Sequence, residues 1–228
     1  MDIFPHDRST KTTHTAGSLE RALTHLSGCL CLRGSNQEEW DKHEVEWQLL
    51  REWCQAEGLV LPLVFPPPVA EGGREHDVRF APANEDRPAY WWKYTKANSA
   101  GYTVEWGVDS TPYMLNASPS QYLQRLQWQN QLLADEITLV GIWESSTKNW
   151  HIVTTQPDVP FPYPEALQIP ALMQRIEASQ LPWKGVGHDE SQAYALDGFA
   201  LWDVRSHNMK MDADGWPYLF DVILTKLP

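Results

Sequence analysis

The sequence predicts an α+β fold from the order of its elements. Apolar side chains recur at helical spacing before about residue 60, whereas short β-like runs dominate from about residue 70 onward. Along the chain the pattern predicts a helical hairpin, two strands, a helix, two strands, another helix, and a strand–loop–strand end. With 228 residues, 42% of them hydrophobic and 21% charged, the chain can bury an ordinary globular core.

Residues 1–60 are predicted to form a loose polar arm followed by the helical hairpin. The first helix is indicated by a set of apolar residues at helical spacing: Leu19, Ala22, Leu23, Leu26 and Leu30. Ser35 and Glu38 form a capping-box pattern that opens the second helix, and Gly58 ends it. The inward stripe of this helix is predicted to be Trp40, His43, Trp47, Leu50 and Cys54. Residues 61–69, LPLVFPPPV, are predicted to be a stiff connector, because proline blocks both helix and central strand.

Residues 70–228 are predicted to form a separate domain that is rich in strands. The predicted strands are 76–80, 90–95, 137–143 and 150–155, and the predicted helices are 118–134 and 164–179, with a break at Pro170 in the latter. The Ser-Pro-Ser-Gln sequence of residues 118–121 is a strong helix start. The stretch 98–117 is predicted to be irregular, and residues 201–204 are expected to pair with residues 216–223 in a hairpin-like end.

The charge of the chain excludes one broad class of function. A net charge of −12 and a pI near 5.0 argue against a general nucleic-acid binder, because phosphate backbones attract Lys and Arg. Neither a signal peptide nor an apolar run of membrane-spanning length is visible, so no membrane association is expected. Cys29, Cys31 and Cys54 are interpreted as buried free thiols, which predicts a reducing, cytoplasmic location.

Three polar residues stand out in the apolar C-terminal segment LWDVRSHNMKMDADGWPYLFDV, residues 201–222. They are Asp203, Asn208 and Asp221. A β-hairpin with polar turns would explain the acidic residues beside Gly215, but Asp221 lies between Phe220 and Val222 in an apolar run. A carboxylate in such a place is desolvated unless it faces a cleft or holds a cation.

The chemistry that needs two carboxylates and an amide is phosphoryl transfer. One carboxylate orients and deprotonates the acceptor hydroxyl, while an amide oxygen and a second carboxylate hold Mg²⁺ against the phosphates. Protein kinases place the base and the amide in the spacing Asp-x-x-x-x-Asn, which here is Asp203 to Asn208. A turn at Gly215 then returns the chain to Asp221.

On these residues, the stretch from about 70 to 228 resembles the kinase-like domain of phage polyvalent proteins, a shortened relative of the Ser/Thr/Tyr kinases. The resemblance implies a minimal bilobal fold with a truncated C-terminal lobe that binds ATP and Mg²⁺. Asp203 would be the catalytic base, and Asn208 and Asp221 would be the metal ligands. Two departures are visible: Arg205 follows the catalytic Asp instead of preceding it, and Asp221-Val-Ile replaces the usual Asp-Phe-Gly.

The resemblance also implies roles in the N-terminal half of this domain. Gly72 and Gly73 would form the flexible turn over the phosphates, and Lys93 would be the strand lysine that binds them. An exposed strand lysine is the alternative interpretation of Lys93. Glu75-His76 resembles a Glu-His pair of the polyvalent family, with a solvated turn as the alternative, and residues 154–159, TTQPDV, would meet the adenine.

The helix at 118–134 lacks the acidic residue that normally pairs with the strand lysine. Four glutamines of this helix could form a hydrogen bond with Lys93 in place of the acidic residue: Gln124, Gln127, Gln129 and Gln131. His207 adjoins Asn208 and could touch phosphate, but it fits a surface loop better.

The sequence therefore predicts an ATP/Mg²⁺-dependent phosphotransferase of the kinase-like class, of phage or mobile-element origin, acting on an unidentified protein. The alternative is a catalytically inactive kinase-like module that binds a partner protein, and the third reading is a purely structural α+β protein. The tryptophan-bearing hairpin is the expected docking surface for a protein partner.

Overall fold

The computed structural model describes residues 16–33, 39–63, 65, 68, 70–71 and 73–228, and it confirms an α+β fold. The helices are α1 (Ala16–Arg33), α2 (Glu39–Ala56), α3 (Pro119–Leu133) and α4 (Ile169–Arg175). The first seven strands are β1 (Val60–Leu61), β2 (Ala70–Glu71), β3 (His76–Ala81), β4 (Tyr90–Thr95), β5 (Tyr102–Trp106), β6 (Pro112–Asn116) and β7 (Thr138–Glu144). The remaining strands are β8 (Trp150–Pro157), β9 (Ser179–Lys184), β10 (Gln192–Leu196), β11 (Phe199–Val204), β12 (Met209–Met211), β13 (Pro217–Leu219) and β14 (Ile223–Lys226).

Two larger sheets organise the described part of the chain. The first has the strand order β1-β7-β8-β4-β3-β2, with β1 parallel to β7 and every other neighbour antiparallel. The second is antiparallel, with the order β14-β11-β10-β9. Two small hairpins, β5–β6 and β12–β13, complete the strand pairing. The turn between β10 and β11 is Asp197-Gly198, and both residues have positive φ, as the tightest hairpin turns require.

Each larger sheet packs on its own hydrophobic cluster. α1, α2 and α3 bury apolar side chains against β7 and β8, and the largest include Leu26, Leu50 and Leu123. α4 and one end of α3 pack against the second sheet. Glu46 of α2 is fully buried and accepts a 2.9 Å hydrogen bond from the backbone nitrogen of Ser120, in the first turn of α3. The helical hairpin is therefore part of the same core as α3 and the first sheet.

Local sequence signals for the helices are largely confirmed. Ser118 caps α3, its side chain and that of Gln121 form a capping box, and Pro119 is the first helical residue. α2 ends two residues before Gly58, whose φ is +70°. The predicted cap at Ser35 and Glu38 lies outside the described residues.

Two predictions of local structure were wrong. Residues 98–117 are not irregular, because they contain the β5–β6 hairpin, whose Val104 belongs to one apolar cluster with Ala193 of β10 and Trp202 of β11. The predicted helix 164–179 is also too long: a 3-10 turn, Ala166–Gln168, gives way to α4 just before Pro170, which lies in the first turn of α4, where a missing amide hydrogen is harmless. The helical segment ends at Arg175, and β9 follows it.

The strand that pairs with residues 201–204 is not the predicted segment 216–223 as a whole: the partner begins only at Ile223. Leu201 and Trp202 pair with Leu224 and Ile223, so β11 contacts β14 and not the segment before Asp221. The preceding strand, β13, instead pairs with β12. Residues 220–222 thus form a break between two strands that belong to different sheets.

Two smaller points complete the fold. Within the described residues, no helix is both long enough and apolar enough to cross a membrane. All three cysteines are free, and Cys54 is buried, but Cys31 is exposed, so the prediction of buried thiols was wrong for Cys31. The 61–69 connector begins with one residue of β1, at the edge of its sheet, and part of it lies outside the described residues.

Candidate functional site

Asp221 occupies the break between β13 and β14, and its side chain faces a cleft. Its backbone has φ +53°, a left-handed conformation that Asp tolerates better than most residues. The side chain is 38% exposed, and Oδ1 lies 2.5 Å from the Nζ atom of Lys93. Burial alone would raise the pKa of Asp221, but the nearby charges of Lys93 and His76 lower it below its ordinary value.

Lys93 reaches Asp221 from the middle of β4. It is only 7% exposed, so the alternative of an exposed strand lysine is wrong. Its Nζ atom donates hydrogen bonds to Asp221 and to Oε1 of Gln156 on β8. The predicted hydrogen bond from a glutamine of α3 is not among these bonds of Lys93. Gln129, for example, donates instead to the backbone oxygen of Val222. The lysine is held by the sheet and by Asp221, without help from the helix.

Asp203 and Asn208 are joined by a local network at the end of β11. A 3-10 turn, Ser206–Asn208, directs Nδ2 of Asn208 back to the main-chain oxygen and to Oδ2 of Asp203, both at 2.9 Å. The same Nδ2 lies 3.4 Å from the main-chain oxygen of Asp221. The structure therefore brings Asp203, Asn208 and Asp221 together. Because Nδ2 makes these bonds, Oδ1 of Asn208 is the atom left for a ligand.

Asp203 is more enclosed than Asp221, whereas Asn208 is buried at 5% exposure. The side chain of Asp203 is 14% exposed, and its φ of +58° is left-handed like that of Asp221. Burial raises the pKa of Asp203, an effect that Arg205, with Nε 3.4 Å from Oδ1, and Asn208 only partly offset. Oδ1 of Asp203 is buried and forms this ion pair with Arg205 without a hydrogen bond, which is uncommon for a carboxylate oxygen.

The cleft beside these residues has a volume of about 390 Å³ and is lined by Lys93, Asn208 and Asp221, whereas Asp203 is not among its lining residues. One wall comes from the first sheet and includes Val78, Trp91 and residues 156–159. The other wall includes Asn208, Phe220 and Asp221, together with three basic residues: Arg205, His207 and Lys210. His207 is exposed at the edge, and Lys210 Nζ lies 4.3 Å from the centre of the Tyr163 ring. The lining places Lys93, Arg205 and Lys210 against the carboxylates of Asp158 and Asp221, so the cleft offers cationic groups to an anionic ligand although the chain has a net charge of −12.

The oxygen atoms in the cleft fit a magnesium ion by their chemistry. Mg²⁺ prefers carboxylate and carbonyl oxygens and is bound in proteins by few side chains, with substrate phosphates completing the shell. Asp221 and Oδ1 of Asn208 are such ligands, and Asp203, whose Oδ1 atom pairs with Arg205, is hydrogen-bonded to Asn208 through Oδ2. Among the described residues there is no cluster of three or more His, Cys, Asp and Glu side chains that would hold a metal without a substrate.

Gly73 of the predicted glycine turn lies outside the lining of the cleft. Gly73 has φ +97° and open space around its Cα, whereas Gly72 lies outside the described residues. The residue after Gly73, Arg74, donates a 3.2 Å hydrogen bond to the backbone oxygen of Gly187, in the loop between β9 and β10.

That loop covers Asp203. A Cβ atom added to Gly187 would lie 2.7 Å from Cβ and 2.8 Å from Cγ of Asp203, and the φ of Gly187 is +100°. Only glycine therefore fits at this position. The sequence prediction missed this contact, although a Gly-x-Gly at 185–187 was visible as a turn signal.

A buried ionic network beside the site was also missed. Glu75 and His76 are not a solvated turn: Glu75 pairs with Arg125 of α3, and His76 Nε2 lies 2.9 Å from the hydroxyl of Tyr122. The spacing of residues in α3 could have predicted that Arg125 is buried, because it lies between Tyr122 and Gln129 on the apolar face of the helix.

Comparison of the chain with protein-family models, with curated proteins and with solved structures found no match in any of the three.

Proposed function

We propose that the protein is an ATP/Mg²⁺-dependent phosphotransferase of the kinase-like class, similar to the kinase-like domain of phage polyvalent proteins. The observation that carries the proposal is the convergence of Asp203, Asn208 and Asp221, from three separate strand ends, opposite the buried strand lysine Lys93. In this reading residues 70–228 form a bilobal domain, with the first sheet as one lobe and the second sheet with α4 as the other.

The chemistry assigns one task to each side chain. Asp203 accepts the proton of the acceptor hydroxyl while the acceptor oxygen bonds to the γ-phosphorus and the bond to the ADP oxygen breaks. Lys93 offsets negative charge on the phosphate oxygens. Asn208 and Asp221 are the residues that would hold Mg²⁺, which neutralises phosphate charge when bound. The raised pKa of Asp203 suits a base, since it keeps proton affinity closer to neutral pH.

The walls of the cleft support a nucleotide over other anions. Val78 and Trp91 offer an apolar surface for a base, and residues 156–159 offer backbone groups at its edge. Arg205 and Lys210 add positive charge on the opposite wall, where phosphates would need it.

The second candidate is a kinase-like module without catalytic activity that binds a partner protein. One contact favours it: the β9–β10 loop encloses Asp203, so an acceptor hydroxyl must displace Gly187 before it reaches the carboxylate. The tryptophans of the helical hairpin do not fit the docking surface that the sequence predicted, because Trp53 is buried and Trp47 packs against the core of α1, α3 and the first sheet.

Thermal unfolding with Mg²⁺-ATP tests the nucleotide site common to both candidates. A ligand at 100 times its Kd that binds only the native state stabilises the protein by about 2.7 kcal/mol, so saturating Mg²⁺-ATP should raise the Tm. Asp221→Asn replaces the carboxylate with an amide, which tolerates the left-handed φ but binds a metal more weakly, and it should abolish most of the rise. ATP with EDTA and Mg²⁺ alone are the controls. A wild type that shows no rise at millimolar Mg²⁺-ATP would overturn the proposal.

A further inference from the structure

We propose that Arg125 and Glu75 form a positioning pair that fixes the glycine turn and Asp221 to a single helix. The inference rests on the proposed function, because it names residues that set the geometry of that same site. Neither residue lines the cleft, and neither is expected to contact substrate.

The carboxylate of Glu75 is enclosed by close contacts two residues after Gly73. Its Oε1 atom lies 2.8 Å from Nη2 of Arg125 and accepts a 2.9 Å hydrogen bond from the backbone nitrogen of Tyr102. A side chain at Gly101, whose φ is +78°, would collide with the carboxylate. The main-chain oxygen of Glu75 accepts a 3.0 Å hydrogen bond from the backbone nitrogen of Lys96. These contacts hold the residue that follows Gly73 and Arg74 in one orientation.

Arg125 contacts Glu75 from the apolar face of α3. Its side chain is 4% exposed, and Nη1 donates a 2.8 Å hydrogen bond to the backbone oxygen of Tyr102. Burial alone would raise the pKa of Glu75, but the charge of Arg125 lowers it, so both partners stay ionised. The planar guanidinium reaches Glu75 and Tyr102 at once, which the single ammonium of a lysine cannot do in the same geometry.

The same helix reaches Asp221 one turn later. Gln129 lies four residues after Arg125 on the buried face, and its Nε2 atom donates a 3.1 Å hydrogen bond to the backbone oxygen of Val222. Val222 directly follows Asp221. α3 is therefore bonded to a residue near the glycine turn and to a residue adjacent to a proposed metal ligand.

His76 ties this network to the centre of the cleft. Its ring lies between Tyr122, at 2.9 Å, and Glu75, at 3.7 Å, and it interacts electrostatically with Asp221 and Lys93. Burial lowers the pKa of His76, and the charges of Glu75 and Asp221 oppose that effect.

A physical coupling follows from these contacts. A rigid helix that is bonded at two points transmits a displacement at one point to the other, so loosening Glu75 should also loosen residues 220–223. Side chains along such a connection typically change a coupling by roughly 0.5–2 kcal/mol, which corresponds to roughly 2- to 30-fold in affinity.

The test uses Arg125→Lys, which keeps the positive charge beside Glu75 but loses the forked contact. We expect roughly 2- to 30-fold weaker binding of Mg²⁺-ATP, measured by titration of the folded protein, and faster hydrogen exchange at both 73–76 and 220–223. Glu75→Gln is the second variant, which keeps an acceptor for Tyr102. Arg21→Lys is the matched control, because Arg21 pairs with Glu57 at 2.7 Å on the exposed side of the hairpin.

Leu26→Ala controls for a simple loss of stability, since Leu26 is fully buried on α1, away from the cleft. It should lower the Tm while leaving the Mg²⁺-ATP affinity and the exchange of 220–223 unchanged. Unchanged exchange at 220–223 in both Arg125→Lys and Glu75→Gln would overturn the inference, whether or not ATP binds. A wild type that fails to bind Mg²⁺-ATP would overturn the proposed function, while the exchange comparison would still decide the coupling.

Discussion

Lys93 and Asp221 are 128 residues apart in the sequence, yet their Nζ and Oδ1 atoms lie 2.5 Å apart at the centre of the cleft. Each residue belongs to a different sheet or strand end, so this ion pair closes the site across the molecule. In the structure Asp221 is paired with the lysine, and a metal–nucleotide ligand would have to exchange that pair for contacts of its own. The pair therefore has consequences for stability as well as for binding.

Replacement of the lysine should change how stability depends on pH. The lowered pKa of Asp221 contributes stability that is present above the ordinary Asp value of about 3.9 and is lost as the pH falls through the lower folded value. Lys93→Met removes the main charge that lowers it. We expect the loss of unfolding free energy between pH 6 and pH 3 to shrink by about 1 kcal/mol, a modest amount because Asp221 is partly solvent-screened.

Denaturant unfolding at the two pH values measures this change. Lys96→Met is the matched control, because Lys96 forms a 2.5 Å pair with Asp77 on the neighbouring strand, where both side chains are more open to solvent than Lys93. Equal pH dependence in Lys93→Met and in the wild type would show that the pair does not contribute.

Asp203→Asn should abolish phosphate transfer without loss of stability. Because the folded pKa of Asp203 is raised, its ionisation destabilises the native state fully above that pKa and not at all below about 3.9. Asparagine removes that cost at pH 7 and tolerates φ +58°, so the Tm should equal or exceed that of the wild type. A positioned base contributes about 10²–10⁴-fold in rate, so transfer of labelled phosphate should fall by that factor.

Asp203→Ala separates the effect of losing the charge from the effect of the left-handed backbone on stability. It also removes the charge, but alanine in a left-handed conformation costs about 1–2 kcal/mol, so its Tm should lie below that of Asp203→Asn. Equal labelling by the wild type and Asp203→Asn, with Mg²⁺-ATP still bound, would favour the inactive binding module.

Gly187→Ala should disturb the site from the loop that covers Asp203. The added methyl group would meet Asp203 at 2.7 Å, so either the loop or the carboxylate must move. Gly198→Ala is the control, because Gly198 has φ +81° with no atom within 4 Å of an added Cβ. Both variants place alanine at a positive φ, at a backbone cost of about 1–2 kcal/mol, but only Gly187→Ala should change the rate of phosphate transfer. Identical activity in the two variants would contradict the contact.

Thiol labelling of the native protein should separate the exposed cysteine from the buried one. Cys31 is exposed and should react with iodoacetamide within minutes, whereas Cys54 is fully buried. Burial, with a smaller effect of Glu57, raises the pKa of Cys54 to about 12, so almost no thiolate is present at pH 8. Peptide mass spectrometry should find Cys54 modified only after denaturation, and rapid native labelling of Cys54 would show that the hairpin opens.

The sequence by itself determined the features that depend on near neighbours. The cap of α3 at Ser118 needs only residues within one turn, and the strands β3, β4, β7 and β8 follow from runs of β-branched and aromatic residues. The Asp203–Asn208 contact is similarly local, because five residues and one 3-10 turn are enough to bring the amide back to the carboxylate.

Tertiary structure alone decided which distant residues meet. No spacing rule shows that Lys93 binds Gln156 and Asp221 and not a glutamine of α3, or that Glu75 pairs with Arg125. The β5–β6 hairpin and the β11–β14 pairing depend on packing against Trp202 and its neighbours. The physical reason is that a buried charge or strand edge is satisfied by whichever partner the folded core brings within hydrogen-bond distance, and sequence separation does not set that distance.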